Sequence, residues 1–168
     1  MNTKPTTEAT AKPRVLLVDD EPRVCAALAG VLVGEGFDLL FVESSDKAVA
    51  AFHAGVFDLV LMDLRMPGKS GWETFVQLTW TRPLQPVIII TALPDQQATA
   101  REMGVGALLE KPLDIPILLE TMRRLLAEPV EVQLARIAGR CRVPGEHRLP
   151  RVPPAPHGKG TKHGEILP

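Results

Sequence analysis

The sequence predicts an α/β protein with a (βα)5 doubly wound parallel sheet of five strands, arranged as a three-layer α/β/α sandwich. From residue 14 onward, short apolar runs alternate five times with helical patterns, an order typical of βα units around a parallel sheet. The first apolar run is continuous rather than alternating, as expected when helices cover both faces of a strand. Right-handed crossovers between such units produce an open sheet with helices on both sides.

The predicted strands are short, and four of them end at polar residues that could carry chemistry. They span residues 15–18, 39–42, 59–62, 87–90 and 107–109. The fourth, one Val followed by three Ile, has the strongest β propensity in the chain.

Capping residues and helical spacing predict a helix after each strand. The first begins near Pro22, a residue suited to a first helical turn, and ends at Gly34 and Gly36. Ser44 or Ser45 caps the second. The fourth spans 98–103 and the fifth about 115–127, and Trp72 and Trp80 are expected to be packing groups on or near the third. The predicted buried positions are Val24, Ala27, Leu28, Val31 and Leu32, then Ala48, Val49, Ala51 and Phe52, then Phe75, Val76 and Leu78, and last Ile117, Leu118, Met122 and Leu125 or Leu126.

Charge and composition divide the chain into three parts. Residues 1–13 are polar and are expected to form a flexible leader, residues 14–127 form the domain, and residues 128–168 form a tail rich in Pro and Gly. The tail carries 7 Lys/Arg against 4 Asp/Glu, whereas the first 127 residues carry 12 against 16. Such a tail buries too little apolar surface to order itself, so we expect it to be mostly disordered, with a short helix over 130–137 as the only further element suggested. No conventional output domain is expected in it.

Composition also argues against several classes of protein. No apolar run approaches the roughly 18 to 20 residues that span a bilayer, and no secretory signal is visible, so a cytoplasmic protein without a membrane partner is expected. Cys25 and Cys141 lie far apart and indicate neither a disulfide nor a metal site. The four histidines are scattered and do not suggest a metal site either; they are His53, His147, His157 and His163.

The ends of the predicted strands supply a set of polar side chains. In a doubly wound sheet, the carboxyl ends of the strands gather at one edge, where functional groups lie. Carboxylates packed there repel one another by about 4 kcal/mol per pair at about 4 Å and an effective dielectric of about 20. A hard cation such as Mg²⁺ balances that charge and lets one carboxylate attack phosphorus. The residues are Asp19, Asp20, Asp63, Thr91 and Lys111.

Five short runs carry a resemblance to a known family. Residues 15–22 read VLLVDDEP, 61–67 LMDLRMP, 71–73 GWE, 90–92 ITA and 110–112 EKP. Together, in this order and spacing, they resemble the CheY-like receiver domains of two-component response regulators, over about residues 14–127. The resemblance implies a flavodoxin-like fold and a phosphorelay protein without turnover beyond its own phosphorylation and dephosphorylation.

The resemblance also assigns roles to the strand-end residues. Asp63 would accept a phosphoryl group from a sensor histidine kinase or a histidine phosphotransfer protein, and Thr91 and Lys111 would contact that group. A cis bond would precede Pro112. The ligands of Mg²⁺ would be Asp19, Asp20, Asp63 and the backbone carbonyl of Arg65.

One position departs from the family pattern. Receivers usually carry Tyr or Phe three residues before the lysine, where the ring reports phosphorylation, and this chain has Leu108 there and no Tyr at all. The departure puts the usual activation switch in doubt but leaves the phosphoryl chemistry intact. Either Leu108 stays permanently inward, or a partner reads the loop after Thr91 directly.

The sequence is compatible with several outputs of the domain. The face formed by the fourth helix, fifth strand and fifth helix is expected to bind an unidentified protein or a second copy of the chain when Asp63 is phosphorylated. Nucleic-acid binding through the basic tail is a weaker alternative, because the tail has no interleaved aromatic residues. A Mg²⁺-dependent aspartyl phosphohydrolase of the haloacid dehalogenase type needs Asp two residues after its nucleophile, where this chain has Arg65. A scaffold that works without phosphate is disfavoured by the intact Asp63, Thr91 and Lys111.

Overall fold

The computed structural model describes residues 11–66, 68 and 70–138. The predicted leader and tail fall largely outside this part of the chain, as do Cys141, His147, His157 and His163. Of the suggested tail, residues 128–138 lie within it, and they include the short helix. Among the described residues, no helix is both long and apolar enough to cross a membrane.

Five strands alternate with helices along the chain, and a sixth helix follows. In order, the elements are β1 Arg14–Val18, α1 Pro22–Gly34, β2 Asp38–Val42, α2 Ser45–Ala54, β3 Leu59–Asp63, α3 Gly71–Thr81, β4 Val87–Thr91, α4 Gln97–Glu102, β5 Ala107–Glu110, α5 Ile115–Leu126 and α6 Val130–Ala138. Every strand lies within one residue of its predicted bounds, and the short helix predicted over 130–137 is α6. The side chain of Ser44, rather than that of Ser45, caps α2.

The strands form one parallel sheet with the order β2-β1-β3-β4-β5. The predicted α/β fold is therefore confirmed. Alternate residues of each strand enter two separate hydrophobic cores. Leu16 and Val18 of β1 pack with side chains from α2, α3 and α4, whereas Val15 and Leu17 pack with side chains from α1 and α5. Because both faces are covered, all five residues of β3 and of β4 are buried, which explains their continuous apolar composition.

Three apolar residues predicted to be buried are exposed instead. In α5 the buried positions are Leu118, Thr121, Met122 and Leu125. Ile117 lies one position before this stripe and is 51% exposed. Trp80 likewise lies off the buried face of α3 and is 82% exposed, and Ala27 of α1 is exposed. In each case a neighbouring residue occupies the inward position, since adjacent positions of a helix differ by about 100° in direction.

The start of α3 packs tightly against the end of β3. A Cβ added at Gly71 would lie 2.4 Å from the Cα of Leu64 and 2.8 Å from the carbonyl oxygen of Asp63. The amide of Gly71 donates to the carbonyl of Leu64 at 3.1 Å. A capping box formed by Ser70 and Glu73 also fixes this first turn. The beginning of α3 and the strand end at Asp63 therefore form one rigid unit.

Replacing Gly71 with Ala should destabilise the protein by about 2 kcal/mol, because the added methyl overlaps backbone atoms that cannot easily move. Gly30→Ala is the matched control, since nothing lies within 4 Å of its added Cβ on α1. That change should stabilise the helix by about 0.5 to 1 kcal/mol. Urea unfolding measures both, and equal stability of the two variants would contradict the close packing at Gly71.

Candidate functional site

Three acidic side chains converge where β1 and β3 end. Val18 of β1 pairs with Met62 of β3, so the residues that follow, Asp19 and Asp63, lie side by side. Both are buried, whereas the adjacent Asp20 is half-buried. One carboxylate oxygen from each of the three residues lies within 4.8 Å of the other two. The predicted convergence of these strand ends is therefore present.

Lys111 joins this cluster from the other side of β4. Its backbone amide donates to the carbonyl of Thr91 at 2.9 Å, which continues the ladder between β4 and β5. Its Nζ donates to Asp63 Oδ2 at 2.6 Å and to Asp19 Oδ2 at 2.9 Å. The bond from Lys111 to Pro112 is cis, as predicted.

The side chain of Lys111 stays charged at neutral pH. Burial disfavours the ammonium and would lower its pKa, since only 17% of the side chain is exposed. The hydrogen bonds to Asp63 and Asp19 and the attraction of their charges together outweigh burial, so the pKa of Lys111 is raised above its ordinary value. The site thus holds a permanent cation between two buried anions.

The site nevertheless keeps an excess of negative charge. Three carboxylates face one ammonium, and two like charges 4.8 Å apart repel by roughly 3.5 kcal/mol at an effective dielectric of about 20. A hard cation surrounded by oxygen ligands would relieve that repulsion, and carboxylates of this kind suit Mg²⁺ better than soft metals. The donor set therefore fits the predicted magnesium site.

Backbone amides orient the two buried carboxylates. Asp19 Oδ1 accepts a hydrogen bond from the amide of Glu21 at 2.8 Å, and Asp63 Oδ1 accepts one from the amide of Arg65 at 2.9 Å. Each carboxylate therefore has one oxygen fixed by the chain two residues later and the other held by Lys111. The side chain of Arg65 is exposed.

Thr91 lies at the end of the neighbouring strand. Asp63 pairs with Ile90 in the sheet, so Thr91 is one residue beyond the partner of Asp63. Its hydroxyl is buried and accepts a hydrogen bond from the amide of Leu93 at 3.1 Å. The hydroxyl proton is thus not used in this contact.

Leu108 and Cys25 pack in the two cores beneath the site. Leu108 is half-buried and packs against the core on the side of α2, α3 and α4. Cys25, to which the sequence assigned no role, is buried on α1, and its thiol donates to the carbonyl of Asp19 at 3.7 Å. Burial and the charge of Asp19 raise the pKa of this thiol to about 12, so it stays protonated and unreactive. Because Cys25 precedes the buried Leu28 by three positions, helical spacing was the signal that could have predicted its burial.

An open hollow of about 570 Å³ adjoins the acidic cluster. Its lining residues are Asp20, Glu21, Arg65 and Met66. Charged groups of both signs therefore line the hollow beside the acidic cluster, to which Asp20 belongs.

The sequence is similar to proteins of a known family. A family model described as the response regulator receiver domain matches residues 15–123. The transcriptional regulatory protein ZraR of Salmonella typhimurium is 35% identical over 119 residues, which cover 70% of this chain and 27% of ZraR. The transcriptional regulatory protein TcrA of Mycobacterium tuberculosis is 33% identical over 140 residues, covering 81% of this chain and 55% of TcrA. The chain thus spans between about a quarter and about half of these relatives.

The fold is also similar to those of solved receiver-domain structures. The response regulator protein TrrA of Thermotoga maritima, crystallised with Mg²⁺ and BeF, superposes with a TM-score of 0.64 at 28% identity, covering 67% of this chain and 98% of TrrA. A CheY-like receiver domain protein from Methanospirillum hungatei has a TM-score of 0.66 at 23% identity, covering 74% of this chain and 98% of that one, and shows the fold.

Replacing Lys111 with Met should lower the free energy of unfolding by about 3 kcal/mol near neutral pH, because two buried carboxylates lose their counter-ion. The pKa of Lys111 is higher in the folded than in the unfolded protein, so its contribution is complete below the unfolded value and is lost as pH rises through the folded one. The difference between wild type and variant should therefore shrink as pH is raised above the ordinary lysine pKa of 10.5. Urea unfolding of both proteins at neutral pH and above pH 10.5 measures this difference in stability. A difference that grows as pH is raised would contradict the ion pair.

Proposed function

The chain belongs to the response regulator receiver domain family, and from that premise we propose that it accepts a phosphoryl group on Asp63 and signals by phosphorylation-dependent binding to another protein. The phosphoryl donor is a phosphohistidine of a sensor histidine kinase or of a histidine phosphotransfer protein. One observation carries the proposal: the buried carboxylate of Asp63 lies against two other acidic side chains and 2.6 Å from the ammonium of Lys111. Such a protein works in the cytoplasm.

Asp63 is the nucleophile in this proposal. A carboxylate oxygen of Asp63 forms a bond to phosphorus while the bond from phosphorus to the donor imidazole nitrogen breaks, and the imidazole keeps the electron pair. The amide of Arg65 holds Oδ1 of Asp63 and thereby orients the carboxylate before the donor arrives.

Lys111 and Thr91 stabilise the transferred group. Lys111 is a cation at neutral pH, so its ammonium can exchange a carboxylate oxygen for an oxygen of the phosphoryl group. The hydroxyl of Thr91 accepts from Leu93 and still has a proton to donate to another phosphoryl oxygen.

Magnesium is the proposed cofactor. Asp19, Asp20 and Asp63, with the backbone carbonyl of Arg65, would hold the ion, and the oxygen-only donor set and its excess negative charge support this choice. When bound, Mg²⁺ neutralises charge on the carboxylates and on the phosphoryl oxygens.

The reaction proposed for this site is limited to one phosphoryl group gained and lost on Asp63. A phosphohydrolase with steady turnover would need an acid or base beside the nucleophile, and Arg65 occupies the position where the haloacid dehalogenase pattern has Asp. The downstream target is an unidentified protein or a second copy of the chain.

Control of transcription is a second candidate output. It is favoured by the names of ZraR and TcrA, which are both transcriptional regulatory proteins. Both are longer than the stretch that matches this chain, so their output activity transfers only as a proposal. Salt-sensitive binding to duplex DNA would distinguish this output from protein binding.

Incubation with Mg²⁺ and acetyl phosphate should add the mass of one phosphoryl group to the protein, and Asp63→Asn should abolish this gain because the amide is not a nucleophile toward phosphorus. Intact-mass spectrometry measures both. Asp38→Asn is the control, since this exposed carboxylate lies at the opposite end of β2 and should leave the gain unchanged. Continued phosphorylation of the Asp63 variant would refute the assignment.

Adding Mg²⁺ should stabilise the folded protein, by about 1.4 kcal/mol at an ion concentration about ten times the dissociation constant. Asp20→Asn removes one proposed ligand and should weaken the stabilisation, with Asp38→Asn again as the control. Thermal unfolding across a Mg²⁺ titration measures the effect. Equal stabilisation of wild type and Asp20→Asn would count against this metal site.

A further inference from the structure

A hydrogen bond between two distant parts of the chain ties α3 to the segment before α4. Nε1 of Trp72 donates to Oε1 of Gln96 at 3.0 Å, across 24 positions of sequence. The indole ring is half-buried and packs edge-on against Phe75, with the ring centroids 6.0 Å apart. The core therefore holds the indole of Trp72 in place, and α3 determines where its N–H group lies.

Backbone packing fixes the α3 end of this bond relative to Asp63. Trp72 directly follows Gly71, whose backbone lies against Leu64 and the carbonyl of Asp63 with no space for a side chain. The position of Trp72 relative to Asp63 is consequently fixed by backbone packing.

The α4 end is held much more weakly. Helix α4 has six residues, no side-chain cap and one buried residue, Ala100. The segment before it includes Asp95 with φ of 57°, a conformation that non-glycine residues rarely adopt. Side-chain amides hold this segment: Gln96 also donates to the carbonyl of Pro94 at 2.9 Å, and Gln97 donates to the carboxylate of Glu110. A short helix with so few contacts depends strongly on each of them.

The same segment begins at Thr91, the residue proposed to contact the phosphoryl group. Leu108, which packs against the core beside it, has neither a ring nor a hydroxyl with which to report a movement of Thr91. We propose that the hydrogen bond from Trp72 to Gln96 is a latch that holds α4 in the unphosphorylated protein and that opens when Asp63 is phosphorylated. The opening of the latch on phosphorylation rests on the proposed function.

The latch responds to Thr91 through the backbone. The Thr91 hydroxyl accepts from the amide of Leu93, so a turn of Thr91 toward the phosphoryl group pulls on the residues that lead to Gln96. Trp72 cannot follow this movement because Gly71 anchors it. The hydrogen bond then breaks and α4 is released for partner binding. One neutral hydrogen bond shifts such an equilibrium by roughly 2- to 12-fold.

The test uses the full chain labelled with ¹⁵N-tryptophan, in which Trp80→Phe identifies the indole signal of Trp72. Hydrogen exchange is followed at this indole and, by mass spectrometry, at the amides of α4. Gln96→Met removes the acceptor, whereas Gln96→Glu keeps an oxygen that can accept from the indole. Gln96→Glu loses only the bond to Pro94, whereas Gln96→Met loses the bonds to both Pro94 and Trp72. In the unphosphorylated protein, exchange at α4 should therefore be roughly 2- to 12-fold faster in Gln96→Met than in Gln96→Glu.

Acetyl phosphate and Mg²⁺ are then added, and intact mass is measured on the same samples. Phosphorylated wild type should exchange as fast as Gln96→Met at both the Trp72 indole and α4, with little further change in that variant. A phosphorylated protein whose Trp72 indole exchange is unchanged overturns the latch alone. If the mass shows no phosphoryl group, the proposed function fails and the coupling fails with it. Unaltered α4 exchange in unphosphorylated Gln96→Met would show that the bond does not hold the helix.

Discussion

The ammonium of Lys111 holds together side chains that come from three different strand ends. It reaches past the end of β4 to bind Asp63 and Asp19, and so sets the spacing of the two buried carboxylates. The pocket is already formed, but its three carboxylates and one ammonium do not balance in charge. A hard cation bound here would reduce this negative excess, and in the proposed function that cation and Lys111 would then offset the negative charge of the phosphoryl group.

The two hydrophobic cores fix the positions of these polar side chains. β3 and β4 are buried along their whole length, and their fixed register determines where Asp63 and Thr91 emerge at the edge of the sheet. Gly71 extends the same rigidity into α3 by allowing backbone contact with the residue after Asp63. Helix α4 has no comparable support. The molecule therefore combines a tightly packed sheet edge with one weakly held neighbouring helix, the combination that a conformational response requires.

The strands and the convergence of Asp19, Asp63 and Lys111 followed from the sequence, because continuous apolar runs mark buried strands and parallel strands place their carboxyl ends at one edge. Exposure of single helical residues did not follow. Ile117 and Trp80 are each apolar residues in or beside an apolar stripe, and composition alone does not decide which neighbour turns inward. The contact of Trp72 with Gln96 has no periodic pattern at all, since it joins polar groups from two separate segments and depends on their tertiary placement.

The latch proposed between Trp72 and Gln96 would give the domain only a weak switch. A two-state element needs a differential free energy of about 5.5 kcal/mol to move from 1:99 to 99:1, whereas one neutral hydrogen bond contributes about 0.5 to 1.5 kcal/mol. Release of the Trp72 bond would therefore shift the population of α4 only partly. A partner that binds the released form of α4 must supply the rest through its own preference for that form. If the proposed latch operates, the partner would therefore complete the switch, and phosphorylation alone would produce a graded response.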